Sequence, residues 1–141
     1  MKKLFAALAL CASPALAQDI VSYDTDQSFG DVTFGLENAI LDAGLVIDHV
    51  SHPGAMLERT REAVGSDVVL FDEADVYSFC SAQLSREAME ADPMNIGFCP
   101  YGIFVAETGE GVFIGRRDYP AGIMDKVEAM LDAIIEEAAF Q

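Results

Sequence analysis

The stretch VYSFCSAQLSREAMEADPMNIGFCPYGIFV, Val76 to Val105, reads as strand, short helix and second strand, and the way its ends meet decides the architecture. β-Branched and aromatic residues run from Val76 to Cys80. Leu84 to Ala91 then has room for two helical turns before Asp92-Pro93 stops them, because a residue preceding proline is pushed out of helical geometry. Ile96 to Glu107 reads as extended and forms a hairpin with Val112 to Arg117 through the turn Thr108-Gly109-Glu110-Gly111. Alternation sends Tyr101, Ile103 and Val105 to one side of this strand, Phe104 and Ala106 to the other. The inner ends of the two strands carry cysteines in similar phrases, FCSA at Phe79 to Ala82 and FCPY at Phe98 to Tyr101. If the strands run antiparallel and the helix folds back between them, Cys80 and Cys99 come within the roughly 7 Å Cα separation that a disulfide tolerates. A parallel pair would put them at opposite ends.

Outward from this stretch the periodicity is clear. Asp19 to Thr25 is a short β-prone opening. From about Ser28, Val32, Leu36, Ala39, Ile40 and Ala43 recur at helical spacing, and Gly44 stands where a left-handed C-terminal residue is favoured. Leu45 to Val50 reads as a second strand, broken by His52-Pro53-Gly54. Pro53 then opens a shorter helix that Gly65 stops. Val68-Val69-Leu70-Phe71 is readable as an edge strand or as an ordered loop under an acidic cluster. Near the end of the chain, Ile123, Met124, Val127, Met130, Leu131, Ile134, Ile135 and Ala138 trace one helical face, with Asp125, Glu128, Asp132 and Glu136 opposite. A helix so one-sided covers a sheet.

The first residues specify a destination. Met1-Lys2-Lys3 is basic, Leu4 to Leu10 is apolar but too short to span a bilayer, and Ala15-Leu16-Ala17 is a small-x-small cleavage site. Residues 1–17 therefore read as a secretory signal and 18–141 as the exported domain, periplasmic or secreted. The rival, a lipoprotein anchored at Cys11, conflicts with Leu10 where such signals carry a small residue. The chain holds 24 acidic and 8 basic residues, a net charge of −16, and losing Lys2 and Lys3 makes it more negative still. Such a field repels phosphate backbones and anionic lipid heads, which argues against nucleic acid or a membrane surface as partner. It suits an acidic surface that keeps an exported protein in solution.

Two cysteines in an oxidising compartment point to a disulfide between Cys80 and Cys99. Closing a loop of about nineteen residues would contribute roughly 3 kcal/mol. The alternative is a thiol or metal site on Cys80, Cys99 and His49, handling copper, zinc or a sulfur species, with Met89 or Met94 adding a thioether. Neither the redox Cys-x-x-Cys spacing nor a four-ligand zinc pattern occurs, a strand-end histidine is more often structural, and methionines beside a helix equally fill core gaps. Arg116 and Arg117, the adjacent basic pair of the exported part, fit an anion or, more simply, neutralise nearby carboxylates. With His49 and Tyr101 they make the candidate ligand-binding residues. Asp24-Thr25-Asp26 and Asp72-Glu73-x-Asp75 lack the glycine and terminal glutamate of a calcium loop and read as solvated. No nucleophile elbow, phosphate loop or dinucleotide fingerprint is present, so the residues assign no catalytic group and no cofactor.

Ile47-Asp48-His49, the strand Val76 to Ser81, Glu90-Ala91-Asp92-Pro93 and Phe98-Cys99-Pro100-Tyr101 resemble the DUF302 family, small domains of unknown function. The likeness extends from the first helix to the second strand of the hairpin. It implies helices laid on a mainly antiparallel sheet, in agreement with the element order: an α+β fold, one compact two-layer domain. It brings no catalytic residues to carry over. The exported relatives with the same cysteine pair imply an accessory role in bacterial sulfur oxidation, with an unknown small ligand or a periplasmic protein as partner. Cytosolic relatives without the pair imply that the fold does not depend on the link. The expectation is a non-enzymatic, exported binding or accessory domain.

Overall fold

A computed structural model describes residues 20–140; the expected signal at 1–17 and Cys11 lie outside them. Five strands, β1 (Ile20–Thr25), β2 (Val46–Ser51), β3 (Glu73–Cys80), β4 (Tyr101–Thr108) and β5 (Gly111–Arg117), form one sheet in the order β1-β5-β4-β3-β2 with every neighbour antiparallel. Four helices, α1 (Phe29–Asp42), α2 (Pro53–Thr60), α3 (Ala82–Ala91) and α4 (Asp125–Phe140), complete a single α+β domain. No helix among the described residues is long and apolar enough to cross a membrane.

Local chemistry sets the helix ends. The Ser28 hydroxyl accepts the Asp31 N–H at 3.2 Å and starts α1, and Gly44, at φ +74°, takes the left-handed turn that ends it. The Ser81 hydroxyl starts α3 by accepting the Leu84 N–H at 3.3 Å. α2 ends at Thr60, earlier than the pattern up to Gly65 suggests.

Alternation along the strands divides the sheet into two faces. Tyr77, Phe79, Tyr101, Ile103, Val105, Val112 and Ile114 point to the helical layer and are buried against Val32, Leu36, Ile40, Val127, Leu131 and Ile135 of α1 and α4. The two helices cross closely at Gly35, where an added Cβ would lie 2.5 Å from the Ala138 carbonyl oxygen, so only glycine allows that approach. The opposite face carries Ser22, Asp24 and His49, all exposed, and the half-buried Phe104 and Phe113, whose rings meet edge-on at 6.1 Å.

Two boundaries differ from the sequence reading. Ile96 to Phe98 belongs to a 3-10 turn, Pro93–Phe98, and β4 begins only at Tyr101. The Asp92 carboxylate accepts the Met94 N–H at 2.9 Å and Pro93 is already set for a helical φ, so the chain coils once more before the cis Cys99-Pro100 bond. Val68 to Phe71 takes the loop alternative.

Candidate functional site

The β3–β4 pairing builds the candidate site. Phe79 stands opposite Tyr101, so the chain leaves β3 at Cys80 and re-enters β4 just after Cys99, with α3 and the 3-10 turn folded back between them. The antiparallel arrangement thus brings the two cysteines together. Both are half-buried thiols in the structure. Burial pushes the Cys80 thiol up to about 12, helped by Cys99, toward which the Cys80 S–H donates and whose charge opposes a second thiolate, and by the negative Asp48 carboxylate; the Tyr101 backbone N–H acts the other way.

A hydroxyl pair borders the sulfurs. Ser85, one turn into α3, lies with Oγ 3.9 Å from Cys99 Sγ and donates to Tyr101 Oη at 3.2 Å. The Tyr101 ring packs edge-on against Tyr119 at 6.2 Å, and Phe98 also meets Tyr119 edge-on, at 5.7 Å. Burial raises the Tyr101 hydroxyl pKa, as do the two cysteines, while the Ser85 bond opposes them. Chemically this is a half-buried cysteine pair, its Cys80 member held as a thiol, next to two hydroxyls. A reactive thiolate needs a cation, a helix N-terminus or a base beside it; Cys80 directly precedes Ser81, the N-cap of α3, yet burial, then Cys99 and the Asp48 carboxylate, keep its proton on.

His49 does not join the sulfurs. It is exposed on β2 opposite Ser78, displaced along the strand from Val46, which is the partner of Cys80, by a register shift that accommodates Asp48. Among the described residues no group of three or more His, Cys, Asp or Glu side chains is placed to hold a metal ion, so the set Cys80, Cys99 and His49 does not assemble as one. Met94 is 77% exposed and Met89 half-buried; neither is a fully buried core residue.

No protein-family model matches the chain, and no curated protein matches it in sequence. Among solved structures it is similar to the crystal structure of an uncharacterised conserved DUF302 protein from Bacillus stearothermophilus, with a TM-score of 0.59 at 14% identity over 83% of this chain and 88% of that one. The fold is DUF302-like. At that identity the likeness concerns the path of the backbone and carries no side-chain role with it.

On this DUF302-like sheet Arg116 and Arg117 diverge, as neighbours on a strand must. Arg116 turns to the helical layer and is buried; its Nε and Nη2 donate to the two oxygens of Asp132 at 2.6 and 2.9 Å, and its Nη1 donates to Glu128 at 2.8 Å and to the Arg117 carbonyl at 3.0 Å. Glu128 also accepts the Tyr119 N–H at 2.8 Å, so one carboxylate ties β5, the following loop and α4 together. The guanidinium is committed within the fold and is not offered to an external anion. Arg116→Ala is expected to cost about 2 kcal/mol by urea denaturation, below the roughly 3–5 kcal/mol of a fully buried pair because Asp132 is 41% exposed. Arg117 is exposed on the other face, and Arg117→Ala should change stability by less than about 0.5 kcal/mol.

Sequence reasoning did not single out three further features. Asp48 and Ser85 act on the sulfurs only through the register and the fold-back of α3. His52 Nδ1 lies 2.6 Å from Asp75 Oδ1, joining residues 23 positions apart. A cleft of about 970 Å³ opens elsewhere, where Asp24 to Ser28, the β4–β5 turn and the end of α4 meet; no residue expected to bind a ligand lines it.

Proposed function

We propose that this protein is an exported, non-enzymatic binding or accessory domain whose β3–β4 junction is pinned by a Cys80–Cys99 disulfide. The observation that carries the reading is the β3–β4 pairing of Phe79 with Tyr101, which brings Cys80 and Cys99 to one junction, with the Cys80 thiol held protonated chiefly by burial. A thiol of raised pKa, as Cys80 has, makes a poor nucleophile and a poor leaving group, the character of a durable link and not of a catalytic one. Export supplies the oxidising surroundings in which such a pair closes. The acidity of the chain, net −16, fits a soluble accessory protein whose partners are neither nucleic acid nor anionic membrane. An accessory role in sulfur oxidation is the narrower form of the same proposal and rests on the family likeness alone.

The test is a thiol count on the full chain produced with its own leader and recovered from the periplasm. Alkylation followed by mass measurement should label neither Cys80 nor Cys99 before reduction and both after it. Two labelled cysteines without reduction would sink the reading.

A further inference from the structure

The two sulfurs occupy unlike places. Cys80 is the last residue of a ladder: it pairs with Val46 of β2 and follows Phe79, whose partner in β4 is Tyr101, so its backbone is fixed on the β2 side and next to the end of the β4 ladder. Its sulfur meets the Tyr101 backbone N–H and feels the negative charge of Asp48. Cys99 lies outside any ladder, between the 3-10 turn and β4, and its backbone N–H donates to the Ile96 carbonyl at 3.2 Å. The chain leading to it is open to solvent, with Met94 77% and Ile96 57% exposed and Gly97 and Pro100 exposed as well. A hydroxyl, Ser85 Oγ, stands 3.9 Å from its sulfur.

From this asymmetry we infer that Cys99 is the point of entry for thiol–disulfide exchange, the sulfur that an external disulfide reaches first, and that Cys80 acts second, from within. The inference deepens the disulfide reading and rests on it. The Cys99 thiolate attacks a sulfur of an external disulfide, forming a mixed disulfide and releasing one thiolate, which takes up the Cys99 proton. Cys80 then loses its proton and attacks Cys99 Sγ, breaking the mixed disulfide and releasing the second external thiol. Two protein thiols are oxidised and one external disulfide is reduced to two thiols. Attack starts at Cys99 because, although both sulfurs are half-buried, Cys80 is held in a strand ladder and its thiolate would form against burial, the Cys99 sulfur and the negative field of Asp48. Burial chiefly, then Cys99 and last the Asp48 charge, hold its pKa at about 12, against 9.0 for an ordinary thiol. The second step escapes this handicap because the β3–β4 junction holds the two cysteines together, and an intramolecular attack gains what an external one must supply by concentration.

The experiment uses oxidised glutathione as the external disulfide. The full chain is reduced, freed of reductant, shown to be folded by circular dichroism and exposed to glutathione disulfide, with acid quenching and peptide mapping at intervals. The expected result is a transient adduct on Cys99 that decays as the Cys80–Cys99 link forms. In the single variants, Cys99 of Cys80→Ser should be modified about tenfold or more faster than Cys80 of Cys99→Ser. Equal rates, or an early adduct on Cys80, overturn the inference while leaving the link itself standing. An adduct that forms on Cys99 and is never displaced supports Cys99 as the entry sulfur but sinks the disulfide reading.

Discussion

Leu131→Ala is expected to destabilise the domain by about 4 kcal/mol, read as a lowered urea midpoint with an unchanged slope. Leu131 is 0% exposed on α4, packed into the core that lies between α1, α4 and the buried face of the sheet. Truncation removes the transfer energy of the lost methyl groups and leaves a cavity. Its neighbours can close that cavity only in part, since α4 is pinned against α1 at Gly35 and Ala138 and held to β5 through Arg116. If the variant proves too unstable to fold, Ile134→Val, expected to cost about 1 kcal/mol, reads the same core more gently. Glu137→Ala is the control on the exposed side of α4. That carboxylate sits in a last turn with no basic residue, where the helix dipole disfavours negative charge, so its removal should be neutral or slightly stabilising. A loss near 4 kcal/mol for Glu137→Ala, or none for Leu131→Ala, would mean α4 does not pack with the face that its apolar pattern specifies.

That pattern is why much of the fold was readable in advance. α1 and α4 have apolar positions at helical spacing, and the hairpin announces itself by Thr108 to Gly111 between two β-prone runs; in each case one segment contains the whole signal. What the sequence left open depended on residues far apart. Val68 to Phe71 looks β-prone, yet both sides of β3 are occupied by β2 and β4, so the segment stays in a loop with Val68, Val69 and Leu70 61%, 59% and 56% exposed. Ile96 to Phe98 has strand-like composition, but an aspartate cap and Pro93 coil it locally first. The divergence of Arg116 and Arg117 was available from strand alternation alone. The commitment of Arg116 to Asp132 and Glu128 was half visible, since those acids sit four residues apart on one helix face. Asp48 and Ser85 left no sequence signal, because a register shift and a helix fold-back place them at the sulfurs.

Reducing the Cys80–Cys99 link is expected to cost about 3 kcal/mol, or on the order of 10 °C in melting temperature for a domain of this size. The entropic gain comes from closing a loop of about nineteen residues in the unfolded chain. The gap should also depend on pH. Burial and its neighbours raise the Cys80 thiol to about 12 in the folded state, against 9.0 when free, so the folded reduced protein keeps a proton that the unfolded chain releases between those values. Stability of the reduced form therefore falls as pH rises through 9 towards 12. The oxidised form has no thiol to titrate there. Tyr77, also raised to about 12, chiefly by burial, lowers both forms alike above pH 10 and cancels in the difference. Melting curves with and without reductant should thus lie about 10 °C apart at pH 7 and separate further as the pH is raised above 9. Coincident curves at pH 7 would show that the link adds no stability, and a gap that narrows above pH 9 would mean that the folded state does not hold the Cys80 proton.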